Sequence, residues 1–210
     1  MQKADYTNRI LDSCALAVVR APKKRVVEVA EGIYKGGIPV MEISFTNNDA
    51  LEAMDMVHEK LGDKVLIGGG TILDATTARL AIQHGAGFIY SPAFDQGVAE
   101  MANLYQVPYA AGCTTVTEAL TALKAGVTFV KMFPYAGIIG SSVIKTIKTP
   151  TPWMPMLESG AVNAGNVGEW LDAGAEVLGI GGALNKGSVD DIAKNATEIR
   201  KAIDTWREQH

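Results

Sequence analysis

The feature that most constrains the fold is an alternation of short apolar runs with amphipathic helical stretches along the whole chain. The predicted strands are residues 14–20, 39–44, 65–69, 87–91, 107–111, 128–133, 155–159 and 177–181. The predicted helices that follow them are residues 23–35, 48–61, 75–84, 96–105, 116–124, 142–147, 164–172 and 189–207. Strands that alternate with helices in this way indicate a parallel sheet whose neighbouring strands are joined by crossover helices.

Eight such units favour a closed α/β barrel, the (β/α)8 or TIM-barrel fold, although a doubly wound open sheet fits the same alternation. Residues 2–13 are predicted to form an extra N-terminal helix, in which Ile10 and Leu11 would pack against the bottom of the barrel. The chain contains no linker, charge block or low-complexity tract. We therefore expect residues 1–210 to form a single domain.

Composition excludes several classes of protein. Hydrophobic residues make up 48% of the chain and charged residues 20%, which is too apolar for a disordered protein. The net charge of −4 argues against a nucleic-acid partner, which would require a basic face. No segment reaches the ~20 apolar residues that span a bilayer, and residues 1–20 do not resemble a signal peptide, so we expect no membrane partner. Cys14 and Cys113 form no CxxC motif, which favours a reducing, cytoplasmic location.

Two charged residues, Glu42 and Lys131, interrupt apolar strands and are the candidate catalytic residues. The two-residue period of a strand places Lys131 on one face with Phe129 and Phe133. Lysine and glutamate are seldom fully buried without a partner, so one interpretation is a structural ion pair and another is a lysine that reaches to the rim. The catalytic interpretation is a Schiff-base lysine. Burial among aromatic side chains would lower the pKa of its amine so that it can attack a ketone, and Glu42 would act as general acid and base.

The carboxyl ends of the other predicted strands are rich in small and hydroxyl residues, as the ligand-binding mouth of a barrel requires. Thr71, Thr114 and Thr115 could line this mouth, but each could equally cap a helix. The glycine-rich ends of the seventh and eighth strands are typical of phosphate sites in barrels. Arg20 ends the first strand, where it could pair with an anion or be an exposed rim residue. The candidate substrate-binding residues are Arg20, Thr71, Pro92, Phe133, Ser159, Gly160, Gly181 and Gly182.

The three histidines lack metal-ligand spacing, so we expect no metal. No GxGxxG motif follows the first strand and no P-loop is present, so the glycine-rich ends are a weak match to a dinucleotide fingerprint. We expect no cofactor.

The segments that carry these residues resemble, in family order, the 2-keto-3-deoxy-6-phosphogluconate and 4-hydroxy-2-oxoglutarate aldolases. The VKMFP segment at residues 130–134, taken with the glutamate of the second strand, is the most specific match. The matching segments span nearly the whole chain and are residues 37–44, 67–73, 91–92, 111–114, 130–134, 160–167 and 179–184.

The resemblance implies a homotrimer of (β/α)8 barrels and a metal-free lysine Schiff base. It implies a class I aldolase, a carbon–carbon lyase that cleaves a 2-keto-3-deoxy sugar acid or 4-hydroxy-2-oxoglutarate to pyruvate and an aldehyde. Carried over by motif, Lys131 would be the Schiff-base lysine and Glu42 the general acid and base. Thr71 and Pro92 would line the pocket for the pyruvate portion of this keto acid substrate.

Three places depart from the family pattern. Thr46 stands where many members carry an arginine, so recognition of the substrate carboxylate would need another cation, such as Arg20. The seventh strand ends Glu158-Ser159-Gly160-Ala161 where the family commonly has Pro-Thr-Gly-Gly, and Gly182 or Ala183 replaces a serine after the eighth strand. These changes weaken the expectation of a phosphate site. The hypothesis is therefore an aldolase whose acceptor need not be phosphorylated.

Two other functions fit the same residues. A phosphate-binding isomerase or epimerase would use Glu42 as its base, and Lys131 would then act only through its charge. A non-catalytic barrel would serve as a binding module. Both alternatives differ from the aldolase because neither forms a covalent adduct between Lys131 and pyruvate.

Overall fold

The computed structural model describes residues 2–210, so Met1 of the predicted domain 1–210 lies outside the described residues. Eight parallel strands pair in chain order and the last pairs with the first, which closes the barrel. The strands are β1 (Ala15–Val19), β2 (Val40–Ser44), β3 (Leu66–Gly70), β4 (Phe88–Ser91), β5 (Tyr109–Cys113), β6 (Phe129–Met132), β7 (Met156–Ser159) and β8 (Val177–Ile180). This confirms the predicted (β/α)8 fold and rules out the open sheet.

The helices follow the predicted alternation with one addition. They are α1 (Lys3–Ser13), α2 (Lys23–Lys35), α3 (Ala50–Leu61), α4 (Ala75–Gln83), α5 (Gln96–Leu104), α6 (Val116–Lys124), α7 (Tyr135–Ile139), α8 (Ser142–Lys148), α9 (Val167–Asp172) and α10 (Val189–Gln209). The segment of α7 was not among the predicted helices. Short 3₁₀ turns at Gly62–Lys64 and Gly182–Leu184 complete the chain.

Alternate residues of each strand serve two separate cores. Outward side chains such as Met41, Ile43 and Val130 pack under the helices in a large apolar cluster. Inward side chains fill the barrel in a smaller cluster, which consists of Ile10, Leu16, Val40, Leu66, Phe88, Tyr90, Ala110, Phe129, Leu157 and Val177. Because side chains alternate along a strand, the residue two positions after each inner-cluster residue also points inward. It lies nearer the carboxyl end of the barrel.

Helix α1 closes the opposite end of the barrel, as the sequence predicted. Ile10 is 2% exposed and belongs to the inner cluster, and Leu11 packs against the same cluster. The amino ends of the strands are therefore covered by α1, whereas their carboxyl ends lead into the β–α loops, which is where the candidate site residues lie.

Candidate active site

Lys131 and Glu42 occupy inward positions on β6 and β2, on opposite sides of the barrel. Phe129 precedes Lys131 on the same face and belongs to the inner cluster, while Val130 lies in the outer cluster, so the predicted facing of Lys131 is confirmed. Lys131 is 4% exposed and Glu42 is 1% exposed. Both ionisable side chains are therefore buried inside the barrel near its carboxyl end.

Lys131 is held between aromatic rings rather than in a close ion pair. Its Nζ lies 4.1 Å from the ring centroid of Tyr90 and 4.6 Å from that of Phe133. Within residues 2–210 no carboxylate oxygen lies within 4 Å of this nitrogen, and Oε2 of Glu42 has no hydrogen-bond partner. Glu42 and Lys131 therefore do not form a direct ion pair in the barrel.

Burial moves the pKa values of this pair towards each other. It raises the pKa of Glu42 to about 7, although the charges of Lys131 and Arg20 oppose that rise. It lowers the pKa of Lys131 to about 8, with Glu42 and Glu158 opposing and Arg20 assisting. A buried amine and a buried carboxyl group that both titrate near neutral pH can exchange protons with a substrate at little cost, as acid–base catalysis requires.

Gly70, at the end of β3, makes room for the carboxyl group of Glu42. A Cβ atom on Gly70 would lie 1.0 Å from Oε2 of Glu42, and Gly70 is the register partner of Ser44 in β2. Ser44 lies two residues beyond Glu42 on the same face, and its Oγ is 3.0 Å from Oγ1 of Thr71. Thr71 therefore lies beside the strand end that carries Glu42.

The structure supports a helix-capping role for Thr115 but not for Thr71. Thr115 is the N-cap of α6 and accepts a hydrogen bond from the backbone N–H of Glu118 at 3.2 Å. The N-cap of α4, however, is Asp74, so the capping interpretation of Thr71 is wrong. Thr71 instead has φ of 60°, a strained value for a β-branched residue, and such strain often accompanies a functional site.

The other predicted site residues are distributed around the mouth. Arg20 is exposed at the end of β1, but its charge acts on both Glu42 and Lys131. Pro92 borders a cavity of about 280 Å³ between the loops after β4 and β5, and a Cβ atom on Gly112, an inward position of β5, would lie 1.9 Å from the carbonyl oxygen of Pro92. Gly181 and Gly182 follow β8, and a Cβ atom on Gly182 would meet open space. Gly160 follows β7 beside Gly137 of α7.

Glu158 lies on the outer face of β7, because its neighbour Leu157 belongs to the inner cluster. Its side chain is fully buried and neither carboxylate oxygen has a hydrogen bond of good geometry. Burial raises its pKa to about 7, opposed by the nearby backbone N–H groups of Ala161 and Ser159 and by the charge of Lys131. A carboxyl group, rather than a cation, therefore underlies the strand end that was considered for phosphate.

Sequence reasoning missed Tyr90, which packs its ring on Lys131 from β4. The available signal was the two-residue period, since Tyr90 lies two residues after the inward-facing Phe88. Within the described residues, no group of three or more His, Cys, Asp or Glu side chains could hold a metal ion. None of the helices in this part of the chain is long and apolar enough to cross a membrane.

Fold and site together define a parallel barrel that keeps a reactive amine and a carboxyl group buried at the carboxyl ends of its strands. The family model for KDPG and KHG aldolase matches residues 7–201. The chain belongs to this aldolase family, and the family's named members are aldehyde-lyases. The resemblance seen in the sequence and the predicted lyase class are confirmed.

Individual relatives agree with this assignment. The 2-dehydro-3-deoxy-6-phosphogalactonate aldolase of Escherichia coli K12 is 30% identical over 192 residues, which are 89% of this chain and 93% of the relative. The 2-dehydro-3-deoxy-phosphogluconate aldolase of Treponema pallidum is 31% identical over 157 residues, 75% of this chain and 74% of the relative. A solved structure described as native KDPGal superposes with a TM-score of 0.86 at 28% identity, covering 92% of this chain and 96% of the other.

Proposed function

We propose that this protein is a class I aldolase in which Lys131 forms a Schiff base with a 2-keto-3-deoxy sugar acid or 4-hydroxy-2-oxoglutarate. The observation that carries the proposal is the burial of Lys131, which lowers the pKa of its amine to about 8 and leaves a usable neutral fraction near pH 7. Glu42, whose pKa is raised to about 7, can give or take a proton in the same barrel.

The proposed reaction begins when Nζ of Lys131 attacks the C2 ketone carbon and forms a carbinolamine. The carboxyl group of Glu42 protonates the departing hydroxyl, which leaves as water and gives an iminium ion. The carboxylate of Glu42 then takes the proton from the C4 hydroxyl while the C3–C4 bond breaks and its electron pair moves into the iminium. The aldehyde leaves, the resulting enamine is protonated at C3, and water hydrolyses the imine to release pyruvate.

The test is borohydride reduction in the presence of pyruvate, followed by intact mass and peptide mapping. We expect one reduced pyruvate adduct on Lys131, and none in Lys131→Met. Lys3→Met is the matched control, because Lys3 is also partly buried with a lowered pKa but lies in α1. If the folded wild-type protein formed no adduct, the Schiff-base mechanism would be excluded and Glu42 would be examined as the base of an isomerase.

We propose that Arg20 recognises the carboxylate of the keto acid, that Thr71 and Pro92 line its pyruvate portion, and that Phe133 is a further substrate contact. Arg20 is supported by its position at the mouth and by its charge acting on both catalytic candidates. Thr46, at the place of the family arginine, has a hydroxyl 3.0 Å from Ser44 and carries no charge. Arg20→Met should raise the KM for the keto acid more than it lowers kcat, and an unchanged KM would exclude this role.

We propose that the acceptor need not carry a phosphate at its distal end. Ser159, Gly160, Gly181 and Gly182 are proposed as the distal contacts. Support comes from the buried carboxyl group of Glu158 under this rim and from the loop 160–166, which contains no lysine or arginine.

Phosphorylated and unphosphorylated 2-keto-3-deoxy sugar acids should then show similar kcat/KM. Glu158→Gln should favour the phosphorylated form, because it removes like-charge repulsion. A large preference of the wild-type protein for the phosphorylated form would exclude this proposal.

We propose that residues 1–210 act as a single domain, and that the protein is a cytoplasmic homotrimer that uses neither metal nor cofactor. The imine itself supplies the electron sink, so the chemistry requires no added group. One structural neighbour, 28% identical with a TM-score of 0.86, is described as a designed cage made by fusing symmetric oligomeric domains. The superposition covers 93% of this chain and 73% of the neighbour. Light scattering should give about three times the 22.3 kDa of one chain, and a single-chain mass would exclude the trimer.

A further inference from the structure

Tyr90 is a buried strand residue whose ring contacts Lys131, although the proposed reaction assigns it no role. It belongs to β4, its side chain is 1% exposed, and its ring centroid lies 4.1 Å from Nζ of Lys131. This is closer than the ring of Phe133, at 4.6 Å. The nitrogen that is proposed to react therefore rests on the face of Tyr90 more closely than on any other aromatic ring within residues 2–210.

The barrel is shaped to hold this ring in place. Tyr90 extends from β4 across the interior to β8, where a Cβ atom on Gly179 would lie 2.9 Å from its hydroxyl oxygen. The neighbouring inward positions on β3 and β5 are Gly68, Gly70, Ala110 and Gly112, whose small size leaves the width of the barrel to the aromatic side chain. The small residues on the flanking strands and Gly179 on the opposite strand thus leave the space that the ring occupies.

An aromatic face attracts a cation and has little attraction for a neutral amine, and the attraction is larger where water is excluded. In the proposed reaction the nitrogen of Lys131 is cationic twice, as the resting ammonium and as the iminium that accepts electrons when the C3–C4 bond breaks. We propose that the ring of Tyr90 positions the nitrogen of Lys131 and stabilises its iminium form. This inference rests on the proposed function, and it adds a residue to the site without adding a covalent step.

The ring, rather than the hydroxyl, carries this role. The Tyr90 hydroxyl makes no hydrogen bond of good geometry, and its oxygen lies at the β7 and β8 side of the barrel, next to Ser159 and Gly179. Burial also raises the pKa of Tyr90 well above its ordinary value, so it remains a neutral phenol at working pH. The other ionisable groups that act on Lys131 are Glu42 on β2, Arg20 at the end of β1 and Glu158 on β7, and all three side chains are retained in every Tyr90 variant.

The test compares Tyr90→Phe, which keeps the ring, with Tyr90→Leu, which removes it. Phe88→Leu is the matched control, because Phe88 is a buried ring on the same strand and face that does not contact Lys131. The readouts are kcat for aldol cleavage, thermal stability, and the pKa of Lys131 from the pH dependence of its acetylation by peptide mapping.

Tyr90→Leu should lower kcat by about tenfold and move the pKa of Lys131 down by about one pH unit, because the cation loses its aromatic partner. Tyr90→Phe should retain most of the wild-type kcat and most of the wild-type pKa of Lys131. Phe88→Leu should lose comparable stability while kcat and the pKa of Lys131 stay within about twofold and a few tenths of a pH unit.

Two results would overturn the inference. If Tyr90→Phe were as defective as Tyr90→Leu, the hydroxyl would be responsible. If Tyr90→Leu left both kcat and the pKa of Lys131 at the level of Phe88→Leu, the ring would only fill space. Failure of the proposed function is distinguishable, because it appears as a wild-type protein without a pyruvate adduct, and the acetylation measurement still reports on Tyr90 in that case.

Discussion

At the scale of single residues, burial alone brings an acid and a base to nearly the same pKa. The same loss of hydration favours the neutral form of each group, so it raises the pKa of Glu42 and lowers that of Lys131. Their mutual attraction opposes both shifts but does not cancel them. Because the two groups interact, the pKa values belong to the pair rather than to either residue alone.

The pH dependence of Schiff-base trapping follows from these two shifts. Attack on pyruvate needs neutral Lys131, whose fraction rises as the pH passes through the pKa of about 8. Loss of water needs protonated Glu42, whose fraction falls as the pH passes through the pKa of about 7. The initial rate of trapping should therefore pass through a maximum between pH 7 and 8. Rates measured from pH 5 to 10 check this expectation.

Glu42→Gln should lower the maximum by about 10²- to 10⁴-fold, the usual contribution of a general acid–base group, and should abolish the decline on the alkaline side. A decline that persisted in Glu42→Gln would mean that another group supplies the proton. Ser44→Ala, two residues along the same face, serves as a check that the strand itself is not disturbed.

Residue chemistry also explains which site residues the sequence could reveal. Glu42 and Lys131 were recognisable because a charge within an apolar strand is costly and therefore conspicuous. Tyr90 was not, since aromatic residues are ordinary in strands and only a second strand places its ring on Lys131. The φ of Thr71 likewise depends on the folded barrel, whereas the outward facing of Glu158 follows from the two-residue period of its strand.

At the scale of elements, β3 contributes to the site by lacking side chains. Its sequence is Leu-Ile-Gly-Gly-Gly, and the carboxyl group of Glu42 occupies the space that a side chain on Gly70 would take. Gly70 does not have a positive φ, so alanine at this position would be unstrained in its backbone but would overlap Oε2 of Glu42. The strand therefore determines where the acid–base group lies.

Gly70→Ala should fold but lose most of its activity. The added methyl group would displace the Glu42 carboxyl group, and a misplacement of about 1 Å can cost ~100-fold in rate. Gly137→Ala is the control, because a Cβ atom there meets nothing within 4 Å and the residue lies in a helix. Cleavage rates and circular dichroism of both variants test this, and a Gly70→Ala protein with full activity would show that Glu42 need not occupy the observed position.

Element prediction failed only where the periodic signal was too short. Helix α7 is a five-residue helix that follows Pro134 and ends at Gly140, with Gly137 in its middle. Proline and glycine are typical of turns, and five residues are too few to show a helical period. The sequence therefore predicts no helix in this segment. The longer helices repeat their apolar positions over several turns, which is the signal that predicted them. The ends of α2 and α6 match the prediction, and the other predicted helix ends differ by at most three residues.

At the scale of the whole molecule, closure of the barrel could not be decided from the alternation alone. Both an open sheet and a barrel are built from the same strand–helix unit, and they differ in whether the last strand meets the first. Here β8 pairs with β1 through Ala15 and Leu178, Leu16 and Gly179, and Ala17 and Ile180. Closure gives the molecule two different ends, one covered by α1 and one carrying Lys131 and Glu42.

This division predicts that stability and chemistry can be changed separately. Ile10→Ala removes a buried side chain from the inner cluster at the α1 end and should lower the free energy of unfolding by about 2–5 kcal/mol. Leu11→Ala, on the same helix but only half-buried, should cost less. Chemical denaturation measures both. The yield of the pyruvate adduct on Lys131 in the folded protein should stay unchanged, because the substituted side chain lies at the other end of the barrel. A loss of adduct in folded Ile10→Ala would mean that the two ends are coupled through the inner cluster, in which Tyr90 is the member that contacts Lys131.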